Sequence, residues 1–158
     1  MRSSIMLLPF LPAILAAPLA AQLAVPVGEE PMHRVVFAND RVRVIDAVLP
    51  PGSVTLYHVH DRDNLPIAVA PGRVSVQPLG GAVAESDVAL GEVSFAAGGY
   101  THRVGNPGTA EVRFIDVELL GGASAMPSRR AATPPAHELV IENGRVRVYR
   151  VVLVPGQR

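Results

Sequence analysis

The sequence predicts an all-β fold, a sandwich or barrel of short antiparallel strands, on three observations. Apolar residues make up 49% of the 158 positions, yet there are only four Phe, three Tyr and no Trp. The core must therefore be Val, Leu, Ile and Ala, and β-branched residues favour strands. Apolar runs are short and rarely keep a 3.6-residue period. Gly and Pro punctuate them as turn signals roughly every eight to twelve residues. The length fits one domain that buries most of its apolar surface.

Composition removes several classes of function. Fourteen basic residues, all of them Arg, balance fourteen acidic ones, and no basic patch stands out, so nucleic acid is not an expected partner. With no Cys there are neither disulfides nor thiolate ligands, and any metal must be held by imidazole and oxygen.

Residues 1–21 have the layout of an export signal. Arg2 supplies the positive start, Ile5 to Leu15 the apolar run, and Ala16 to Ala21 a small-residue tail. The run is short of the ~18 residues of a membrane span, and Pro9 and Pro12 interrupt it. A periplasmic or secreted protein with no stable membrane anchor is expected. Gln22 to Pro31 reads as a loose lead-in. His33 to Leu49 reads as a hairpin about Asn39-Asp40, residue types that tolerate left-handed backbone, and Pro50-Pro51-Gly52 ends it. Ile67–Ala70 and Arg73–Gln77 flank the turn Pro71-Gly72. Gly80 to Asp87 reads as a linker of low pattern. Val93 and Phe95 suit a strand, Ala97-Gly98-Gly99 a turn, Thr101 to Val104 a strand, and Gly105 to Gly108 another turn. Glu111 to Leu120 reads as the domain's last strand.

The chain's chemistry lies between Gly52 and Asn106. His58 and His60 are two residues apart in an extended segment with Val54, Leu56 and Val59, and strand geometry sends positions i and i+2 to one face. Both imidazoles can then meet one ion, and His102, from a second strand, would close a three-nitrogen face. Zn, Fe, Mn, Ni and Cu all accept imidazole.

The pattern Gly-x5-His-x-His, followed by Gly-x5-(Pro)-x-Gly-x2-His-x3-Asn, resembles the two motifs of the cupin superfamily. Gly52, His58 and His60 fit the first motif; Gly91, Gly99, His102 and Asn106 fit the second at every spacing. The resemblance covers roughly residues 33 to 120. It implies a small antiparallel jelly-roll barrel, here residues 22–122, around a divalent metal (Fe, Mn, Zn or Ni). The proline usual in the second motif is Ala97. The glutamate that normally follows the histidine pair is missing: its slot falls on Asn64 or Leu65, with Asp63 one residue short, so Asp63 or Asn64 is the expected fourth ligand.

Three neutral ligands leave a divalent ion its full charge, which favours a small anionic chelating substrate and Lewis-acid polarisation. Oxygenase- or isomerase-type chemistry is the enzymatic expectation. The competing one is a non-catalytic ligand-binding or structural barrel without metal. Tyr100, two residues before His102, is a candidate hydrogen-bond donor behind the ligands, or a barrel filler. Gly52, Gly91, Gly99 and Asn106 read as turn-formers that aim the histidine strands. His33 and His137 read as structural or surface residues, and Arg103 and Arg113 as exposed partners of nearby acids.

Residues 123–136 look like a linker. His137 to Gly156 then repeats His33 to Gly52 at an offset of 104, with 11 of 20 positions identical, among them Arg-Val-Arg-Val and the closing Pro-Gly. Asn143-Gly144 should sharpen the turn made by Asn39-Asp40. A second barrel would need its first histidine six residues after Gly156, beyond Arg158. Residues 137–158 are thus expected to be the opening hairpin of a truncated repeat, or a hairpin that adds to a sheet edge and promotes a homodimer.

Overall fold

The computed structural model describes residues 24–122 and 137–156, and strands dominate it. In chain order they are β1 (Val25–Pro26), β2 (His33–Ala38), β3 (Val42–Leu49), β4 (His58–His60), β5 (Asn64–Ala70) and β6 (Gly72–Pro78). After them come β7 (Ala84–Val88), β8 (Tyr100–Gly105), β9 (Val112–Leu119), β10 (His137–Glu142) and β11 (Arg147–Val151). One sheet has the order β1-β4-β8-β6-β7 and the second β2-β3-β9-β5, while β10 and β11 form a separate hairpin. The two larger sheets enclose an aliphatic core in which Leu49, Val74 and Val112 pack with Val88, Val104 and Phe114. This is the jelly-roll barrel that the motifs imply.

Several elements differ from the sequence reading. The lead-in is part of the barrel: β1 pairs parallel with β4, and Val27 and Glu30 are fully buried. Residues 84–88 form a strand because they close a hairpin on β6, Gly72 opposite Val88 through Val76 opposite Ala84. The segment around Val93 is extended but only bridged to β5, at Ile67–Val93 and Asn64–Ala96. β5 and β6 flank Pro71 as expected, but each joins a different sheet, so Pro71 marks a corner. Neither Asn39-Asp40 nor Asn143-Gly144 uses left-handed backbone. Instead the Asn39 side-chain oxygen accepts the amides of Arg41 (2.8 Å) and Val42 (2.9 Å), and Asn143 does the same for Arg145 (2.8 Å) and Val146 (3.0 Å). A side-chain oxygen that replaces a backbone acceptor closes the turn without positive φ.

The export segment 1–21 and the linker 123–136 lie outside the described residues. The tail hairpin reproduces its parent pair for pair. His33–Ala47, Arg34–Asp46 and Val35–Ile45 correspond to His137–Val151, Glu138–Arg150 and Leu139–Tyr149, with an irregularity at the same place in each.

The motif glycines act through backbone shape. Gly52 and Gly99 have φ of +73° and +90° with open space where a Cβ would stand, so the left-handed conformation selects them. Asn106 is a lock. Buried, it donates from its amide to the carbonyls of Leu49 (2.8 Å) and Ala110 (2.7 Å) and accepts the Gly108 amide (2.9 Å). Its backbone bonds Gly52 and Ser53. Asn106→Ala leaves the buried Leu49 carbonyl without that donor and should cost about 1–3 kcal/mol. Urea unfolding should show a lower midpoint at an unchanged slope.

Candidate metal centre

Strand pairing assembles the centre. β4 and β8 are antiparallel with His58 opposite His102 and His60 opposite Tyr100, so all four side chains share the face that looks into the barrel. Ring centroids lie 5.1 Å apart for His58–His60, 4.7 Å for His58–His102 and 5.1 Å for His60–His102. One nitrogen from each lies within 4.8 Å of the others. Two atoms bound about 2.1 Å from a shared ion are at most about 4.2 Å apart, so at most a slight swing of the rings is needed.

The nitrogens suit a cation. His58 Nδ1 lies 3.0 Å from the Leu56 carbonyl oxygen, which can only accept, so the proton sits on Nδ1. His58 Nε2 is buried and has no partner. Burial depresses the His58 and His102 imidazoles to about 4, and His60 to about 3, where the neighbouring histidines add to the effect. All three are therefore neutral at pH 7, the form a metal requires. A buried lone pair without a donor is costly in a closed barrel, and an ion relieves that cost.

Behind the triad the polar groups are committed. Tyr100 stacks on His60 at 4.7 Å and 13°, and its hydroxyl donates to Asn64 Oδ1 at 3.0 Å. Burial pushes the Tyr100 hydroxyl up to about 12. Asn64 Nδ2 donates to both carboxylate oxygens of Asp116, at 2.9 and 3.0 Å. The Asn64 amide thus acts as a hydrogen-bond relay between Tyr100 and Asp116. Asp63 is engaged elsewhere, accepting the Gly98 amide at 3.0 Å and pairing with Arg145 at 2.8 Å. Arg113 pairs with Asp46, whereas Arg103 bonds Gln77 and lies over the Tyr57 ring.

Three residues of the site escape sequence reasoning. His33 is no surface residue: its ring is 4.7 Å from that of His58 and lines the cavity. Its Nδ1 lies 2.5 Å from Glu30, a buried carboxylate that also accepts the amides of Met32 (2.7 Å) and Leu56 (3.1 Å). Asp116 faces inward from β9, with Oδ2 3.5 Å from His60 Nδ1, and burial raises its carboxyl to about 6. The alternation of Asp116 and Glu118 with Ile115 and Val117 was the available signal for an acid-bearing inner face.

The cavity has a volume of about 220 Å³. Leu49, Val74, Val88, Val104 and Phe114 form its walls, with the histidines, Asn64, Tyr100 and Asp116 on the polar side and no Arg among the lining residues. An ion here would meet a small, mostly apolar chamber with room for a ligand of a few heavy atoms.

No protein-family model and no curated protein matches the sequence. Solved structures do. A cupin domain from Bordetella pertussis Tohama I is 26% identical with a TM-score of 0.53, over 61% of this chain and 97% of that domain. A protein with a double-stranded β-helix domain from Klebsiella pneumoniae subsp. pneumoniae MGH 78578 is 24% identical with a TM-score of 0.50, over 64% of this chain and 86% of its own. Because the Bordetella domain is matched along nearly its whole length, and both histidine motifs fall on strands of one barrel, the chain belongs to the cupin superfamily.

Proposed function

We propose that the protein is an exported cupin that holds one divalent metal through His58, His60 and His102 and acts on a small anionic chelating substrate. The observation that carries this reading is the convergence of three neutral imidazoles, two of them with a buried unpartnered nitrogen, on one cavity. The metal would supply Lewis-acid polarisation, the feature common to oxygenase- and isomerase-type chemistry in such sites. The chain's own residues do the rest. The apolar walls, Phe114 among them, bound the ligand's apolar body. With no Arg on the lining, an anionic group has the metal as its counter-charge. His33, held by Glu30, presents its ring beside the His58 side of the ligand's position.

A binding role without turnover is the second reading. It is favoured by the locking of Tyr100, Asp116 and His33 in hydrogen bonds, which leaves few groups free to shuttle protons. The export segment supports a periplasmic or secreted location. Exposed Val35, Val36 and Phe37 on β2, at one edge of its sheet, support self-association.

Metal analysis of protein purified without a histidine tag should find about one divalent ion per chain. His58→Ala and His102→Ala should each weaken binding by more than the about 10–100-fold that outer-shell changes cost. Protein that takes up none of Fe, Mn, Zn or Ni would overturn the reading. Oxygen uptake or isomer formation with small 2-hydroxy and 2-oxo acids then separates enzyme from binder.

The depressed imidazoles also set a pH dependence for the metal-free protein. As pH falls below about 6.5 the unfolded chain protonates these histidines while the folded chain does not until about 3–4, so stability is lost across that window. Asp116, raised from 3.8 to about 6, acts in the opposite sense between those values, because the folded form keeps its proton longer. Three groups outweigh one. The melting temperature should fall between pH 7 and pH 5, and the fall should shrink in a variant lacking His58 and His102; a flat wild-type profile would contradict the burial argument.

A further inference from the structure

The first motif lacks its acidic ligand, and the polar groups behind His60 show how the site answers that loss. A metal on one nitrogen of an imidazole leaves the proton on the other, and that N–H needs an acceptor when buried. His58 has the Leu56 carbonyl. His60 Nδ1 is buried without a hydrogen bond, and the acceptor facing it is Asp116 Oδ2 at 3.5 Å.

We propose that Asp116 is a positioning residue of the centre: it takes the Nδ1–H of His60 when metal occupies Nε2, and so supplies through His60 the negative charge that the first motif no longer provides. This rests on the reading of His58, His60 and His102 as metal ligands. Asp116 is itself held in place. Asn64, in the slot of the missing glutamate, donates two hydrogen bonds to its carboxylate. Tyr100 donates to Asn64 and stacks on His60, which closes a ring of four side chains with the imidazole as one member. The other buried acid on the same face of β9, Glu118, is paired to Arg43 and so brings no net charge. The departure from the family pattern therefore moves the carboxylate from the ion to the far side of a ligand. An acid hydrogen-bonded to a ligating imidazole strengthens that ligand and fixes its orientation.

The test uses the full-length protein, with Co²⁺ and Zn²⁺ affinities measured by chelator competition well below the melting temperature. Asp116→Asn should weaken both about 10–100-fold and shift the visible Co²⁺ bands, and Asp116→Glu should recover part of each. The exposed Asp61→Asn should change neither. Nitrogen-resolved NMR of Zn-loaded wild type gives a measurement that needs no variant to fold. A protected, downfield Nδ1–H on His60 is expected, and a His60 bound through Nδ1 would overturn the proposal. So would a folded Asp116→Asn protein with wild-type affinity and spectrum. Wild type that binds neither ion would sink the metal reading as well, so the two failures are distinguishable.

Discussion

One register carries the site: His58 opposite His102 across the β4–β8 pair. A slip of a single residue would turn His102 to the outer face and leave two histidines in the barrel. The pairing is pinned at both ends. At the turn, Gly99 donates to the His60 carbonyl at 2.7 Å, and Gly98 lies so close to the Arg62 backbone that a Cβ would sit 2.6 Å from it. At the far end, Thr55 donates from its amide to the Val104 carbonyl and accepts the Val104 amide on its hydroxyl, while Asn106 ties Gly52 and Ser53 to the same corner. The motif residues that bind nothing are thus what hold the register. Gly52, Gly99 and Asn106 matter because the histidine strands are short and cannot fix their own alignment.

That alignment brings a concentration of polar groups into a small barrel, and each needs an answer. Glu30 accepts three hydrogen bonds, Asp46 meets Arg34 and Arg113, Glu118 meets Arg43, and Asp116 meets Asn64. The histidines are answered differently, by staying neutral. The apolar side is deliberately plain: Val, Leu and one Phe leave a chamber that a core rich in aromatics would have filled. Stability therefore rests on the paired acids and the aliphatic walls, and among the cavity-lining groups the imidazole nitrogens are the ones left open for a ligand.

Much of this was legible in the sequence, and the parts that were not share a cause. Two motifs at full spacing located the triad, the turn glycines and Asn106, because short-range spacing maps directly onto strand and turn. His33 was missed for want of a register. Extended back from the Asn39 turn without a break, the hairpin would place His33 opposite Val48 on the outer face; the irregularity between Val35 and Phe37 shifts it to Ala47 and so inward. Asp116 was missed because alternation gives a period but not a sign. In Phe114-Ile-Asp-Val-Glu-Leu119 the apolar residues suggest the inner face, yet the acids take it. Residues 84–88 lacked any apolar pattern, and their strand exists only because β6 offers an edge to pair with.

The tail shows how a backbone can be copied while its contacts are not. β10–β11 keeps the register of β2–β3 through the irregularity and the asparagine turn, but the cross-strand pair Arg34–Asp46 becomes Glu138–Arg150, with its charges exchanged. In the parent hairpin Asp46 also binds Arg113 of β9. Were the tail to take the parent's place against β9, Arg150 would face Arg113, and Tyr149 and Val151 would have to fit where Ile45 and Ala47 are buried. Like charge and excess volume both oppose that exchange. The side chains of the repeated hairpin thus set it against docking on β9, the strand that carries Asp116.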